Sequence, residues 1–177
     1  MLASFLNSLW GILSIIALLI VLLCLYSLIF RKTPSFIKHI GKHGVIIAFI
    51  ASLLATIGSL MYSDVLGYEP CKLCWFQRIF MYPQVIILGF MIWKKNKDLY
   101  IPSIILSSLG AIIAAYHYVS QIGWNPLDLE CASIGYAVSC AKMFTMQFGF
   151  ITIPFMALSV FLLIVTVLLL DRSCSKQ

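Results

Sequence analysis

The chain has 177 residues, 62% of them hydrophobic and 10% charged, with a mean hydropathy of +1.04 and a formal charge of +6. That balance excludes a water-soluble globular domain, which needs far more polar surface. It also gives no support to nucleic-acid binding, because no basic face or recognisable binding module accompanies the charge.

Runs free of Asp, Glu, Lys and Arg occupy Met1–Phe30, Gly44–Ser63, Ile79–Trp93, Leu99–Leu127 and Met143–Leu170. Roughly 20 apolar residues cross a hydrocarbon core of about 30 Å as a helix. Helices satisfy their own backbone polar groups in lipid, so the runs predict an all-α, polytopic membrane protein of five spans. The expected spans are 8–30, 44–62, 75–93, 100–120 and 148–170. The first lacks the basic n-region and small-residue cleavage site of a signal peptide, so it reads as a retained anchor. Pro83 and Pro154 fall inside the third and fifth spans, where each is expected to kink its helix.

Charge orients these spans. Arg31, Lys32, Lys38, Lys42, Lys94, Lys95, Lys97, Arg172 and Lys176 fall on one side. The other side carries only Lys72, Arg78 and Lys142 as cations, with Asp64, Glu69, Asp128 and Glu130. The positive-inside rule places the first set in the cytoplasm, the N-terminus outside and the C-terminus inside.

The six cysteines sort by this topology. Cys24 lies within the first span and reads as a small buried hydrophobe. Cys174, in the cytoplasmic tail, is expected to stay reduced. Cys71 and Cys74 fall in one outer loop, Cys131 and Cys140 in the other, forming two sequence-local pairs on the oxidising side. Three chemistries compete for them. Static disulfides are one, but a Cys-x-x-Cys bridge closes too short a loop to stabilise much. A four-cysteine zinc site is another, although an oxidising compartment and the lack of a small zinc fold disfavour it. A pair of exchanging disulfides is the third and best reading. Along one straight helix, Cys131 and Cys140 would lie about 13 Å apart on opposite faces. A disulfide needs Cα atoms about 4.4–6.8 Å apart, so bridging this pair requires the chain to fold back, most naturally at Gly135.

The third charge-free run has only 15 residues, about 22 Å of helix, too short to cross alone. Its helix must therefore start near Cys74, with Pro70 at a first-turn position and Arg78 inside the membrane, one turn down. Cys74 and Arg78 are four apart and share a face. The helix N-terminus and the guanidinium both favour a thiolate, the reactive form. An arginine within a span marks a functional site by default, although snorkelling to the headgroups is its alternative. His117 and Gln121 are likewise four apart near the outer end of the fourth span. Facing the Arg78 helix, they could donate to a carbonyl ligand; as single residues they read as interfacial polar groups. Trp75, Phe76, Tyr82, Tyr116, Tyr118 and Trp124 fit an outer aromatic belt.

With Glu69-Pro70-Cys71-Lys72-Leu73-Cys74-Trp75-Phe76-Gln77-Arg78, then Tyr82-Pro83, Tyr116-His117, Gln121 and a second outer cysteine pair, the chain resembles the DsbB family of disulfide-bond formation proteins, in its short BdbC-type subgroup. The resemblance runs from about Gly44 to Leu170. It implies a four-helix bundle at residues 44–177, with residues 1–43 adding an extra N-terminal transmembrane helix and a cytoplasmic loop. It also implies a bacterial cytoplasmic-membrane oxidoreductase that reoxidises an extracytoplasmic thioredoxin-like dithiol oxidase and passes electrons to a quinone, ubiquinone or menaquinone. In such a relay, two thiol–disulfide exchanges are followed by electron transfer to the quinone. By position, Cys131 would form the mixed disulfide with the partner, and Cys140 would be its mate. Cys71 and Cys74 would be the quinone-coupled pair, with Cys74 nearest the ring. Arg78 would stabilise charge there, and His117 and Gln121 would contact the quinone. The rivals are a thiol-driven quinone or epoxide reductase and a non-catalytic scaffold held by disulfides or zinc. The first helix has no counterpart in the common four-helix form.

Overall fold

The computed structural model describes residues 2–30, 35–96, 98–123, 140 and 143–174. Cys131, and with it the expected looped disulfide to Cys140, lies outside the described residues, as do Gly135 and Trp124. Six helices follow in chain order: α1 Leu2–Phe30, α2 Ser35–Lys42, α3 Gly44–Leu60, α4 Lys72–Lys94, α5 Tyr100–Gln121 and α6 Ile153–Cys174. A wide π-type turn, Met61–Val65, extends α3. Among the described residues five helices are long and apolar enough to cross a membrane: Ala3–Phe30, Gly44–Val65, Lys72–Lys94, Tyr100–Gln121 and Ile153–Ser173. The all-α, five-span, multi-pass expectation is met.

Helices α3, α4, α5 and α6 pack each on the next and close into a four-helix ring, α6 returning to α3. Small residues let the backbones approach, as helix association in lipid favours. A Cβ at Gly110 of α5 would come within 2.4 Å of the Phe161 ring of α6, and one at Gly44 within 2.6 Å of the Val167 carbonyl. Between α4 and α5 the buried Gln84 amide donates to the Ser103 carbonyl at 2.8 Å and accepts from the Ser103 hydroxyl at 2.6 Å. At the opposite end from the cysteines, Asp171 of α6 accepts the Val45 amide of α3 at 3.1 Å, satisfying a helix N-terminus.

Helix α1 stands outside this ring and packs along α6. Ser14, Ala17, Val21 and Cys24 are buried at alternating steps of three and four, the seam of one helix lying along another. Cys24 is fully buried and free, as a small hydrophobe should be. Short α2 is amphipathic. Ile37 and Ile40 are buried, with α2 packing on α6, while Phe36, Lys38, His39 and Lys42 are exposed, as on an interfacial helix.

Three span starts differ from the sequence expectation, the first span already being helical from Leu2 and not from residue 8. The last helix starts at Ile153 and not at residue 148, because Phe148 and Gly149 adopt positive φ (53° and 79°) and Gln147 bridges to Ile151. Pro154 therefore sits in the first turn of α6, where its missing N–H costs nothing, and does not kink the span. The third helix begins at Lys72 with Cys71 as its N-cap, which leaves Pro70 just outside it. Pro83 does lie inside α4.

Candidate functional site

The start of α4 sets the centre of the site. Cys71, extended at the N-cap, and Cys74, in the first turn, bring their sulfurs to 3.4 Å as free thiols. Cys71 donates its S–H to Cys74. Cys71 is buried, 3% exposed. That hydrogen bond, followed by burial, pushes the Cys71 thiol up to about 12, against a smaller lowering from His117. Cys71 therefore keeps its proton at neutral pH.

On one side of the pair lies His117 of α5, 1% exposed. Its Nε2 is 3.6 Å from the Cys71 sulfur and 3.1 Å from the carbonyl oxygen of Cys140. A carbonyl can only accept, so Nε2 carries the ring proton. Nδ1 is then an acceptor, and the buried Gln77 amide donates to it at 2.9 Å. Gln121 donates to the same Cys140 carbonyl at 3.5 Å. Cys140 is buried and close enough that its thiol interacts electrostatically with Cys74. Cys71, Cys74, His117 and Gln121 share a cavity of about 20 Å³ with Phe144, Thr145, Ile153 and Pro154, room for about one water.

Three potential metal-ligand atoms, from Cys71, Cys74 and His117, lie within 4.8 Å of one another. The hydrogen bonds point to a different use. The His117 Nε2 proton is committed to the Cys140 carbonyl and the Cys71 sulfur, so ligation would require the ring to lose it and break both contacts.

On the other side lies a much larger cavity of about 370 Å³, bounded by α1, α3, α4 and α6. Cys74, Gln77, Arg78, Met81 and Tyr82 supply its α4 wall. The Arg78 guanidinium is held by Ser59 of α3, its Nε 3.0 Å from the hydroxyl and Nη2 3.1 Å from the carbonyl. Trp75 lies 5.4 Å from the guanidinium carbon, a cation–π contact, and the Tyr82 hydroxyl donates to Ser59 at 3.3 Å. Arg78 is thus anchored to the protein and does not rely on headgroups alone.

The sequence-predicted residues therefore divide. Cys74 borders both cavities, Arg78 borders the large one, and His117 and Gln121 border the small one beside Cys71. Sequence reasoning missed Ser59 and Gln77. Gln77 stands inside the Cys-Trp-Phe-Gln-Arg string but carries no charge or thiol to draw notice. Ser59 belongs to a helix distant in sequence, with no local pattern linking it to the cysteines.

The family model described as disulfide bond formation protein DsbB matches residues 41–170. "Probable disulfide formation protein C 1" of Bacillus anthracis is 41% identical over 125 residues, 70% of this chain and 87% of its own length. "SPbeta prophage-derived disulfide bond formation protein B" of Bacillus subtilis (strain 168) is 42% identical over 123 residues, 70% of this chain and 81% of its own length. "Disulfide bond formation protein C" of the same organism is 38% identical over 120 residues, 67% of this chain and 84% of its own length. No solved structure matches the chain.

Proposed function

The chain belongs to the DsbB family of disulfide bond formation proteins, and from that premise we propose that it reoxidises an extracytoplasmic thioredoxin-like dithiol oxidase and delivers the electrons to a membrane quinone. Disulfide bond formation and thiol–disulfide oxidoreductase activity follow from the family. The acceptor, the partner and the orientation of the spans are the further steps.

One observation carries the reading: a single dithiol separates a hydrogen-bonded thiol pocket from a large apolar cavity. The large cavity's volume, about 370 Å³, lies in the range of small-molecule sites, roughly 300–1,000 Å³. A quinone fits its donor set, with a sulfur and a fixed cation on an otherwise mainly apolar lining. Arg78 and Cys74 would hold the ring, and aliphatic side chains of α3 and α6 would take the tail. A bound quinone supplies a two-electron, two-proton acceptor. Ubiquinone and menaquinone both meet that requirement.

The chain's own groups do the rest. A partner thiolate attacks one sulfur of a Cys131–Cys140 disulfide, breaking that bond and forming a mixed disulfide. The partner's second thiol resolves it, leaving the partner oxidised and Cys131 and Cys140 as thiols. A second exchange, from that dithiol onto a Cys71–Cys74 disulfide, restores the first bridge and leaves Cys71 and Cys74 reduced. Each exchange needs a stabilised leaving sulfur. The His117 N–H beside Cys71 supports one leaving position, and the helix N-terminus with Arg78 supports the other. With the basic loops in the cytoplasm, both cysteine pairs face outward, where a secreted partner can reach them.

The test mixes the purified protein with a reduced thioredoxin-like dithiol and a quinone, then follows quinol absorbance. Wild-type protein is expected to form quinol and Cys74→Ala to form none above background. Equal quinol from both would sink the mechanism. If quinol forms but exported proteins keep their disulfides without this chain, quinone reduction is its purpose and the reductase reading replaces the oxidase.

A further inference from the structure

The matched family region begins at residue 41, so α1 lies outside it. Yet α1 supplies one wall of the large cavity. Both α1 and α3 pack on α6, but they do not pack along each other. They meet at the cysteine end, where the Trp10 ring lies over Gly58 and the Tyr62 hydroxyl donates to Asn7 Oδ1 at 2.9 Å. From there to Ile20 and Ile47 both helices border the cavity, a stretch of about 15 Å of helix.

The cavity is therefore a trough with two walls and α6 as its floor. Leu13 and Ile16 of α1 and Ile50 and Leu54 of α3 border it and are themselves exposed, whereas Ala157 and Val160 of the floor are half-buried. Side chains exposed within a span meet acyl chains, so the rim between α1 and α3 opens sideways into lipid. Cys74 and Arg78, at the cysteine end, are half-buried and keep surface for a ligand. The trough thus runs from a sulfur and a cation into aliphatic surroundings. A membrane quinone has the same order along its length: a polar ring, then an apolar isoprenoid tail longer than the trough.

Resting on the thiol–quinone reading above, we infer that the rim between α1 and α3 is the lateral portal through which the quinone enters from the bilayer, and that α1 confines its tail in the trough with the ring toward Cys74. Lipid is as apolar as these side chains, so the trough adds little affinity for a tail. What it adds is direction, since a tail held between two walls points the ring at Cys74 and Arg78. An acyl chain of the surrounding lipid is the rival occupant.

The test uses the full chain in lipid nanodiscs and a ubiquinone analogue carrying a photoreactive diazirine at the end of a decyl tail. Adducts mapped by mass spectrometry are expected on α1 and α3 between the levels of Leu13 and Ile20, and to be suppressed by excess decylubiquinone. Adducts confined to other helices would overturn the portal, and adducts that the competitor does not suppress would give the trough to bulk lipid. Ala51→Trp fills the trough from α3, where Ala51 borders it half-buried. With a reduced thioredoxin-like dithiol as electron donor, this variant is expected to raise the KM for decylubiquinone about tenfold relative to that for the tailless dimethoxy-methyl-benzoquinone, within the range of an overpacking clash. An unchanged KM ratio in a variant that still reduces the tailless quinone would overturn the portal; a variant that reduces neither is misfolded, and the wild-type adducts then decide. Failure of the wild-type chain to reduce either quinone would instead overturn the acceptor reading itself.

Discussion

Around Cys71, side chains from two helices fill the space with directed contacts: Gln77 to His117, His117 to the Cys71 sulfur and the Cys140 carbonyl, Gln121 to that carbonyl, with about 20 Å³ left over. Around Arg78, four helices leave about 370 Å³ unfilled, with the guanidinium fixed at its border. The first region is arranged to hold sulfurs in register, the second to receive a molecule. A single turn at the start of α4 divides them, so the CxxC pair borders two chemically different surroundings. Neighbouring sulfurs on one turn can look different ways because Cys71 is still extended while Cys74 is already helical.

If that division is real, substitutions on the two sides should separate. The largest effect is expected from Arg78→Ala. Losing a fixed cation at the large cavity should weaken quinone binding about 10- to 100-fold, while reduction of the Cys71–Cys74 disulfide by a small thiol changes little. A greater effect on disulfide reduction than on quinone Kd would erase the distinction.

His117→Phe tests the opposite side. Without the Nε2 proton, the Cys71 sulfur loses a donor and the Gln77 amide loses its acceptor. Stopped-flow reduction of the Cys71–Cys74 disulfide should slow about tenfold, with quinone Kd unchanged. A raised quinone Kd would return His117 to the acceptor site, where the family resemblance puts it.

The smallest effect concerns pH and lies within the pair. The Cys74 hydrogen bond is the chief reason that the Cys71 thiol is pushed up to about 12. Only the thiolate is alkylated, so a raised value means less reactive sulfur at any given pH. Cys74→Ala removes the chief cause and leaves burial, so Cys71 should titrate lower. Its labelling by iodoacetamide at about pH 9, near the ordinary thiol range, should then rise relative to the same cysteine in reduced wild-type protein, as read by mass spectrometry. An equal or slower rate would mean that Cys74 does not set the protonation of its neighbour.

Much of the fold was legible because a bilayer imposes simple arithmetic. Charge-free runs located all five spans, and the short third run correctly drew Arg78 inside its helix. The errors came at the ends, where local backbone geometry decides. Gly149 and Phe148 turn the chain before α6, and neither changes the hydropathy of the run. At the site, Cys71, Cys74 and Arg78 announce themselves through chemistry that lipid does not tolerate without purpose. His117 and Gln121 were found by their four-residue spacing, but spacing gives a shared face and not what that face meets. Ser59 was invisible for a related reason. A serine in a span is ordinary; only the hydrogen bonds it accepts from Arg78 single it out.

Of the five spans α1 is made first, yet its long partner is α6, the last of them. Before α6 is made, α1 has contacts near Gly58 and Tyr62, but the seam of Ser14, Ala17, Val21 and Cys24 lacks its main partner. The wall over Arg78 can thus close only when the final span arrives, and a ribosome that stalls before α6 leaves a chain with its cysteine motif but no finished chamber beside it.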